Sequence, residues 1–166
     1  MPNNEVKPIP DGYHTVTPYL SIKEAAKAIE FYQKAFGATV KERMDGPGGK
    51  VMHAELKFGD SIVMLADEYP EMPGACLSPA TLKGTTFMIH LYVENVDAAF
   101  KKAVDAGCVV ERPVQDQFYG DRTGGVRDPF GHRWYLGTHK EDLTPEQLKQ
   151  RAQEMFKQPK KETSKA

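Results

Sequence analysis

KAIEFYQKAFG at residues 27–37 and DAAFKKAVDAG at residues 97–107 are the two stretches that decide the fold. Each repeats small and aromatic apolar residues at helical spacing, and each ends in glycine, the residue that most often terminates a helix. We therefore predict helices over residues 23–36 and 97–106, each closed by its glycine.

A second pair of motifs follows the two helices at nearly equal distances. Phe58-Gly59-Asp60 and Phe130-Gly131-His132 each precede an apolar strand. Because the helix motif and the turn motif recur together in the same order, the chain contains an internal duplication.

Strand patterns complete each half of this duplication. Alternation and turn residues predict strands at residues 14–20, 39–44, 50–58 and 61–66, and again at 86–93, 109–111, 118–122, 125–127 and 133–138. The predicted fold is α+β, with two tandem βαβββ modules forming a curled mixed sheet around a cavity and helices on the outer side.

The predicted organisation is one domain with short extensions. An N-terminal arm covers residues 1–12, and the domain covers 13–140, with module one at 13–67, a linker at 68–84 and module two at 85–140. Residues 141–166 form a C-terminal helix and a disordered tail, because Thr144 and Gln147 make a capping box and the last residues are polar.

Composition excludes several function classes. A net charge of −1 over 166 residues gives no support for nucleic-acid binding. Two cysteines, Cys76 and Cys108, make no disulfide framework, which favours a reducing compartment. Neither a secretory signal nor a membrane-spanning apolar run is recognisable. We expect a cytoplasmic protein without nucleic-acid or membrane partners.

The two faces of the predicted strands differ in chemistry. One face is apolar and suits packing against helices, whereas the other carries aromatic, histidine, methionine and charged groups. An ordinary solvent-exposed sheet would carry Lys, Glu and Thr instead. The mixed face is therefore predicted to be a half-buried concave surface.

Three stretches resemble the vicinal oxygen chelate superfamily, and more narrowly its bacterial glyoxalase/bleomycin-resistance-like proteins. They are Thr17-Pro-Tyr-Leu20, the helix Ala28-Ile-Glu-Phe-Tyr32 with Phe36-Gly37, and Asp128-Pro-Phe-Gly-His-Arg-Trp134. The resemblance covers about residues 13–140. It implies two βαβββ modules curled around a cavity that often holds a divalent metal.

The family's metal positions do not carry metal ligands in this chain. The resemblance places them at Thr17, Val63, Met88 and Tyr135, and threonine, valine and methionine are poor ligands for a hard or borderline cation. We therefore predict no cofactor and no metal at these positions. An alternative is a displaced divalent metal site, a two-histidine, one-carboxylate set of His53, Glu55 and His90, although cross-strand charge pairing also explains His53 and Glu55.

Candidate ligand-binding residues follow from the mixed face, and His90 is also the candidate catalytic residue. His90 is either a metal or acid–base group, or a cavity histidine satisfied by a neighbouring hydroxyl. Arg122 either meets an anionic ligand at the mouth of the cavity or pairs with nearby aspartates. His132 and His139 are expected at the surface. Trp134, on the apolar strand face, is expected in the core, and Cys108 is expected to be a small buried apolar residue rather than a nucleophile. The predicted ligand-binding set is Thr17, Tyr19, Met88, His90, Tyr92, Tyr135 and Arg122.

Two functions are consistent with these residues. The first is a metal-independent small-molecule-binding protein of the glyoxalase/bleomycin-resistance type, which holds a planar or partly apolar compound in the inter-module cavity. The alternative is a metal-dependent lyase, isomerase or dioxygenase with a displaced metal site. A homodimer is expected, because relatives commonly pair two chains and a half-barrel leaves open strand edges.

Overall fold

The computed structural model describes residues 6–157. Its helices are α1 Ala25–Phe36, α2 Pro79–Leu82, α3 Val96–Ala106 and α4 Pro145–Lys157. Its strands are β1 Tyr19–Ile22, β2 Thr39–Asp45, β3 Val51–Phe58, β4 Ser61–Asp67, β5 Met88–Tyr92, β6 Val109–Asp116, β7 Asp121–Arg127 and β8 Arg133–His139.

The strands form two four-stranded sheets with the same internal order. One sheet runs β1-β4-β3-β2 and the other runs β5-β8-β7-β6. In both, the first strand pairs parallel to the last and the other neighbours are antiparallel. The predicted α+β fold with two tandem βαβββ modules is therefore confirmed.

The long module helices α1 and α3 form where the two quoted stretches predicted them. Gly37 follows α1 with φ 71°, a left-handed conformation that glycine adopts without steric cost, and its N–H bonds the carbonyl of Gln33. The Asn95 side chain caps α3 by accepting from the Ala98 N–H at 3.0 Å. The two helices contact each other.

An aromatic cluster joins the modules. The indole ring of Trp134 in β8 lies 4.5 Å from the ring of Phe36 and 5.4 Å from that of Tyr32, both in α1. Phe58, at the end of β3, lies 5.4 Å from the same indole. The predicted core position of Trp134 is confirmed, since the residue is 1% exposed.

Asp128 fixes the same contact through polar groups. Its Oδ2 accepts hydrogen bonds from the Tyr32 hydroxyl at 2.8 Å and from the Trp134 indole N–H at 2.9 Å. Its Oδ1 accepts from the backbone N–H groups of Phe130 and His132, both at 2.9 Å. One buried carboxylate therefore holds the turn before β8 against the helix of the other module.

Several predicted boundaries were wrong. The first strand begins at Tyr19 rather than residue 14, and the predicted linker contains α2, which Ser78 caps. The fragments predicted at 118–122 and 125–127 are one strand, β7. β6 runs to Asp116 rather than to residue 111, with two register irregularities that interrupt its alternation.

The C-terminal helix is confirmed, and its capping box forms. The Thr144 N–H bonds Gln147 Oε1 at 2.9 Å, and the Gln147 N–H bonds Thr144 Oγ1 at 3.2 Å. The predicted disordered tail lies mostly outside the described residues, as does the beginning of the N-terminal arm. None of the helices in residues 6–157 has both the length and the apolar character needed to cross a bilayer.

Candidate functional site

A cavity of about 460 Å³ lies between the two modules, along the free edge of β5. Module two contributes His90 and Tyr92 together with Ile89 and Leu91. Module one contributes the start of β4 at Ser61–Val63 and the segment that precedes β1, at His14, Val16 and Pro18. The walls are mainly apolar, with two histidines and a tyrosine among them.

The late start of β1 creates this space. β1 pairs with β4 from Tyr19↔Met64 onwards, so residues 61–63 have no β1 neighbour. Pro18 has no N–H to continue the ladder, although its carbonyl accepts from the Met64 N–H at 2.9 Å. The segment before β1 therefore turns away from the sheet and lines the cavity.

His90 lies on the exposed side of β5, over a glycine of the neighbouring strand. Its ring centroid is 4.5 Å from that of Tyr92 and 5.9 Å from that of Tyr135. A Cβ at Gly137 would lie 2.9 Å from His90 Nε2, so any residue larger than glycine would collide with the ring in this position. Tyr92 donates its hydroxyl proton to Asp121 at 2.8 Å, and this bond together with burial raises the pKa of the Tyr92 phenol.

Met88 and Tyr135 share the concave face with His90 but do not reach the cavity. They border a space of only about 10 Å³, where the Arg112 guanidinium donates to the Tyr135 hydroxyl at 3.0 Å. The Tyr135 ring also lies close against Gly125. This part of the predicted site is filled by its own side chains.

Thr17 and Tyr19 lie in module one and are not among the residues that line the cavity with His90. The Thr17 hydroxyl donates to the His14 carbonyl at 3.1 Å, which stabilises the bend before β1. The Tyr19 hydroxyl lies 3.1 Å from His53 Nδ1, and its ring borders a different cavity. Of the predicted residues, only Tyr19, Met88, His90, Tyr92 and Tyr135 share the concave face, and they do not surround a single space.

A polar network covers the concave face of module one around Glu55, which is buried. Glu55 accepts hydrogen bonds from Tyr13 and from Lys41 Nζ, and its other oxygen lies 3.4 Å from His53 Nε2. Burial acts to raise the pKa of Glu55, but these hydrogen bonds outweigh it and lower the pKa. The network explains His53 and Glu55 as a charge-paired surface.

The displaced metal site is not assembled within this chain. His53 and Glu55 are adjacent on β3, whereas His90 lies on β5 against Tyr92 and Tyr135. Among residues 6–157, no three His, Cys, Asp or Glu side chains form a cluster that suits a metal ion.

The family's own metal positions also fail to offer a ligand set. Val63 pairs with Leu56 and faces the helices, so the position on the concave face is Met64, which is an equally poor ligand. The residues present do not fit the family's metal.

The predicted position of Arg122 at the cavity mouth was wrong. Its guanidinium pairs with both carboxylate oxygens of Asp97, at 2.8 and 2.7 Å, and with Asp116 at 3.1 Å. Asp97 lies in the first turn of α3, so Arg122 faces the helix side of the sheet. The alternative interpretation, pairing with nearby aspartates, is the one observed.

Two predictions about histidine and cysteine have opposite outcomes. Cys108 is buried as predicted, and burial with the nearby Asp128 charge raises the pKa of its thiol to about 12, which makes it a poor nucleophile. His132 was expected at the surface but is 3% exposed. Its burial depends on the linker and on β1, which local sequence does not reveal.

Sequence reasoning missed Gly137 and the segment before β1 as parts of the site. A glycine inside an apolar strand is a recognised sign of close approach by another group, and that signal was present at Gly137. Pro18 carried a similar signal, because proline is disfavoured inside a paired strand.

Comparison with known proteins places this geometry in a family. The model of the glyoxalase/bleomycin resistance protein/dioxygenase superfamily matches residues 13–136. The uncharacterized protein Rv0887c of Mycobacterium tuberculosis is 47% identical over 123 residues, which cover 74% of this chain and 72% of that protein.

Solved structures share the fold. TioX from Micromonospora sp. ML1 is similar with a TM-score of 0.62 and 26% identity, over 75% of this chain and 97% of TioX. TnmS3, an antibiotic binding protein from Streptomyces sp. CB03234, has a TM-score of 0.57 at 22% identity, over 76% of this chain and 96% of TnmS3. With a family model that spans most of the domain, the chain belongs to the glyoxalase/bleomycin resistance protein/dioxygenase superfamily.

Proposed function

We propose that this protein binds a planar or partly apolar small molecule in the inter-module cavity without the help of a metal ion. The observation that carries the proposal is the cavity of about 460 Å³ between the modules, with His90 and Tyr92 on an otherwise apolar wall. Its volume lies within the usual range of small-molecule sites, roughly 300–1,000 Å³.

The side chains of this cavity suit a flat compound. Ile89, Leu91 and Val63 provide apolar contact, and Tyr92 adds an aromatic surface that is 60% exposed. Within the described residues the His90 ring makes no hydrogen bond, so it is free to direct one at a ligand. An apolar slot with one or two polar groups is the usual arrangement for holding such a molecule in one orientation.

Metal independence is supported by the donors that the chain offers. The family's metal positions carry Thr17, Met88 and Tyr135, and the His53–Glu55 pair is separate from His90. The fold itself is compatible with binding alone, since the similarly folded TnmS3 is an antibiotic binding protein.

We also propose that the protein is a homodimer. β2 is exposed along its whole length and β6 along most of it, so both sheets end in open edges. His90, Met88 and Tyr92 are exposed on β5, which leaves the concave face of module two uncovered in a single chain. Sedimentation should give twice the 18.6 kDa chain mass at micromolar concentration, and a monomer would contradict the proposal.

The binding test is a thermal-stabilisation screen of planar aromatic compounds, with chelator-treated protein and with added divalent metal. For a compound that binds, His90→Ala should weaken affinity by about 1–3 kcal/mol, or roughly 5- to 150-fold. Gly137→Ala should also weaken it, because the new methyl group displaces the His90 ring.

His53→Ala is the matched control, since His53 lies outside this cavity and belongs to the alternative metal set. The affinity of the His53→Ala variant for the compound should equal that of the wild type. A compound whose binding needs metal, and fails equally in His53→Ala and His90→Ala, would contradict metal independence and favour the lyase, isomerase or dioxygenase alternative.

A further inference from the structure

A cavity of about 520 Å³ lies between the linker and module two. The linker contributes Pro79 and Lys83, from the two ends of α2, and the residues that follow. Module two contributes Arg127, Arg133 and Glu111, together with the turn between β7 and β8. This linker cavity and the inter-module cavity have no lining residue in common, so they are separate sites.

Charge distinguishes the linker cavity from the mainly apolar inter-module cavity. Its lining carries three cationic side chains, Lys83, Arg127 and Arg133, and one carboxylate, Glu111. Arg127 Nε lies 3.3 Å from Glu111 Oε1, and Arg133 Nε lies 2.6 Å from Glu111 Oε2. Within residues 6–157 Lys83 forms no ion pair. The lining therefore has a surplus of positive charge in a chain whose net charge is −1.

The two arginines are direct cross-strand partners. Arg127 in β7 pairs in register with Arg133 in β8, so their side chains lie on the same face of the sheet. Like charges in this arrangement repel each other, and the single carboxylate of Glu111 compensates only one of them. Arg112 adds a further cation beside them, because its guanidinium donates to the uncharged Tyr135 hydroxyl at 3.0 Å. An anion bound here would relieve this repulsion.

Both arginines keep donors for such an anion. Each approaches Glu111 through its Nε atom, and among the described residues neither Arg127 nor Arg133 makes a hydrogen bond through its terminal Nη groups. Both side chains are partly exposed. Guanidinium groups with available N–H donors bind carboxylate and phosphate oxygens with strong, charge-assisted hydrogen bonds.

The walls of the linker cavity are held in place by the fold. Gly131 has φ 93°, and a Cβ there would lie 2.8 Å from the Cβ of Pro79, so the turn approaches α2 very closely. Glu68, which is buried, accepts from the Ser78 N–H at 2.8 Å and from the Thr81 hydroxyl at 2.6 Å, which anchors α2. The cationic residues on both sides therefore face one fixed space.

Lys83 stands at a position that favours glycine. It follows α2 with φ 56°, a left-handed conformation that is uncommon for residues with a side chain. Its backbone conformation is therefore unfavourable, whereas its side chain adds a cation to the lining. Replacing it with glycine removes the cation and relieves the backbone at the same time.

We propose that the linker cavity binds a small phosphate monoester, with the phosphate group between Arg127, Arg133 and Lys83. Three cations and one carboxylate leave two positive charges, which the two negative charges of a phosphate monoester balance near neutral pH. A carboxylate would balance only one. Pro79 and Phe130 also line the cavity and offer apolar contact to the organic part of the molecule. The proposal does not rest on the function proposed for the inter-module cavity.

The test is calorimetric titration of the full-length protein at low ionic strength and about pH 8, with three probes. Phenyl phosphate should bind roughly tenfold or more tightly than benzoate, the difference expected for one charged hydrogen bond. It should also bind more tightly than inorganic phosphate, because its ring adds apolar contact. In an NMR titration, phenyl phosphate should shift the amide resonances of Gly84 and Gly131, which line the cavity.

Two variants test the cations, and a third serves as the control. Arg133→Gln and Lys83→Gly should each weaken phenyl phosphate binding roughly tenfold, and Lys83→Gly should do so without loss of thermal stability. Arg43→Gln is the matched control, because Arg43 lies in β2 of module one, pairs with Asp45 and is not part of the lining. It changes the net charge as Arg133→Gln does and should bind as the wild type does.

Several outcomes would overturn the proposal. Equal affinities for phenyl phosphate and benzoate would show that the site does not select a doubly charged anion. Inorganic phosphate that binds as tightly as phenyl phosphate would exclude an organic ligand. Unchanged affinity in Lys83→Gly, or an equal loss in Arg43→Gln and Arg133→Gln, would show that the cations of this cavity do not form the site. If Arg133→Gln does not fold, Lys83→Gly and the amide shifts still decide the question.

Discussion

The two modules share one strand order but connect their last two strands differently. In module one, Gly59-Asp60 joins β3 to β4 as a two-residue turn, and the Asp60 side chain is 87% exposed. In module two, five residues from Asp128 to His132 make the same connection, and Asp128 is 2% exposed. The repeat therefore preserved topology while the turns acquired different burial and partners.

The longer turn joins the halves of the molecule. Asp128 accepts from Tyr32 of module one and from Trp134 of module two with the same oxygen atom. Burial and the Asp128 charge raise the pKa of the Tyr32 phenol, so it stays protonated and remains a donor. A small duplicated domain needs such a contact, because each four-stranded module alone has little core.

The largest effect is expected from Asp128→Ala. The substitution leaves the Tyr32 hydroxyl and the Trp134 indole N–H buried without an acceptor and removes two backbone contacts of the turn. We expect a loss of about 3–5 kcal/mol in the free energy of unfolding, measured by urea denaturation. Asp128→Asn should lose less, since its amide oxygen can still accept one set of these bonds.

Asp60→Ala is the matched control in the other module. Its side chain is exposed and, within residues 6–157, its polar partners are Ser61 and His14 alone, so the unfolding free energy should change by about 0.5 kcal/mol or less. Equal losses of unfolding free energy in Asp60→Ala and Asp128→Ala would show that the two turns contribute equally to stability, which would contradict the comparison.

Sequence reasoning predicted the modules because helix period, terminal glycine and repeat order are local signals. It placed Trp134 in the core for the same reason, from strand alternation. It misplaced His132 because the burial of a polar turn residue depends on β1 and the linker, which are far away in sequence. Arg122 was misplaced although a signal was present. Val126 lies four residues further along the same strand and is fully buried, so it marks the side of the sheet to which Arg122 also points.

The candidate site was predicted in part for a similar reason. Alternation correctly grouped Tyr19, Met88, His90, Tyr92 and Tyr135 on the concave face. It did not reveal which of them border a vacant space, because that depends on how Arg112 covers Tyr135 and on where β1 begins. Shape at this scale is a property of packing between strands rather than of one strand's pattern.

The concave faces of the modules are each organised around a buried carboxylate. Glu55 in module one is surrounded by Tyr13, Lys41 and His53. Asp121 in module two accepts from the Tyr92 hydroxyl at 2.8 Å, and its other oxygen lies 2.7 Å from His139 Nδ1. The first network lowers the pKa of the Glu55 carboxyl, whereas the second raises the pKa of the His139 imidazole. The contributions of the two networks to stability therefore change with pH in opposite directions.

A smaller effect is expected from Glu55→Gln, on the acid side. Because the folded pKa of Glu55 is below its ordinary value of 4.5, its charge stabilises the fold fully above that value and is lost as pH falls through the lowered pKa. At neutral pH the variant should be less stable by about 1 kcal/mol.

The pH series decides whether Glu55 is the cause. Urea denaturation from about pH 6 to about pH 3 should show the wild type losing its advantage over Glu55→Gln as the carboxyl is protonated. If the difference in unfolding free energy between the wild type and Glu55→Gln stays constant down to the lowest pH, Glu55 acts through its shape rather than its charge.

The smallest effect is expected from His139→Gln, on the alkaline side. Hydrogen bonds to Asp121 and Asp142 raise the pKa of His139 above its ordinary value of 6.5, so the charged imidazole stabilises the fold fully below that value. This contribution disappears as pH rises through the raised pKa. The wild type should therefore exceed His139→Gln in unfolding free energy at about pH 6 and match it at about pH 9. His139 is well exposed and its pairs are screened, so the difference should shrink further in high salt. If the difference in unfolding free energy between the wild type and His139→Gln grows as pH rises, the pH dependence is opposite to the expected one. That result would contradict the assignment of His139 as the titrating group of module two.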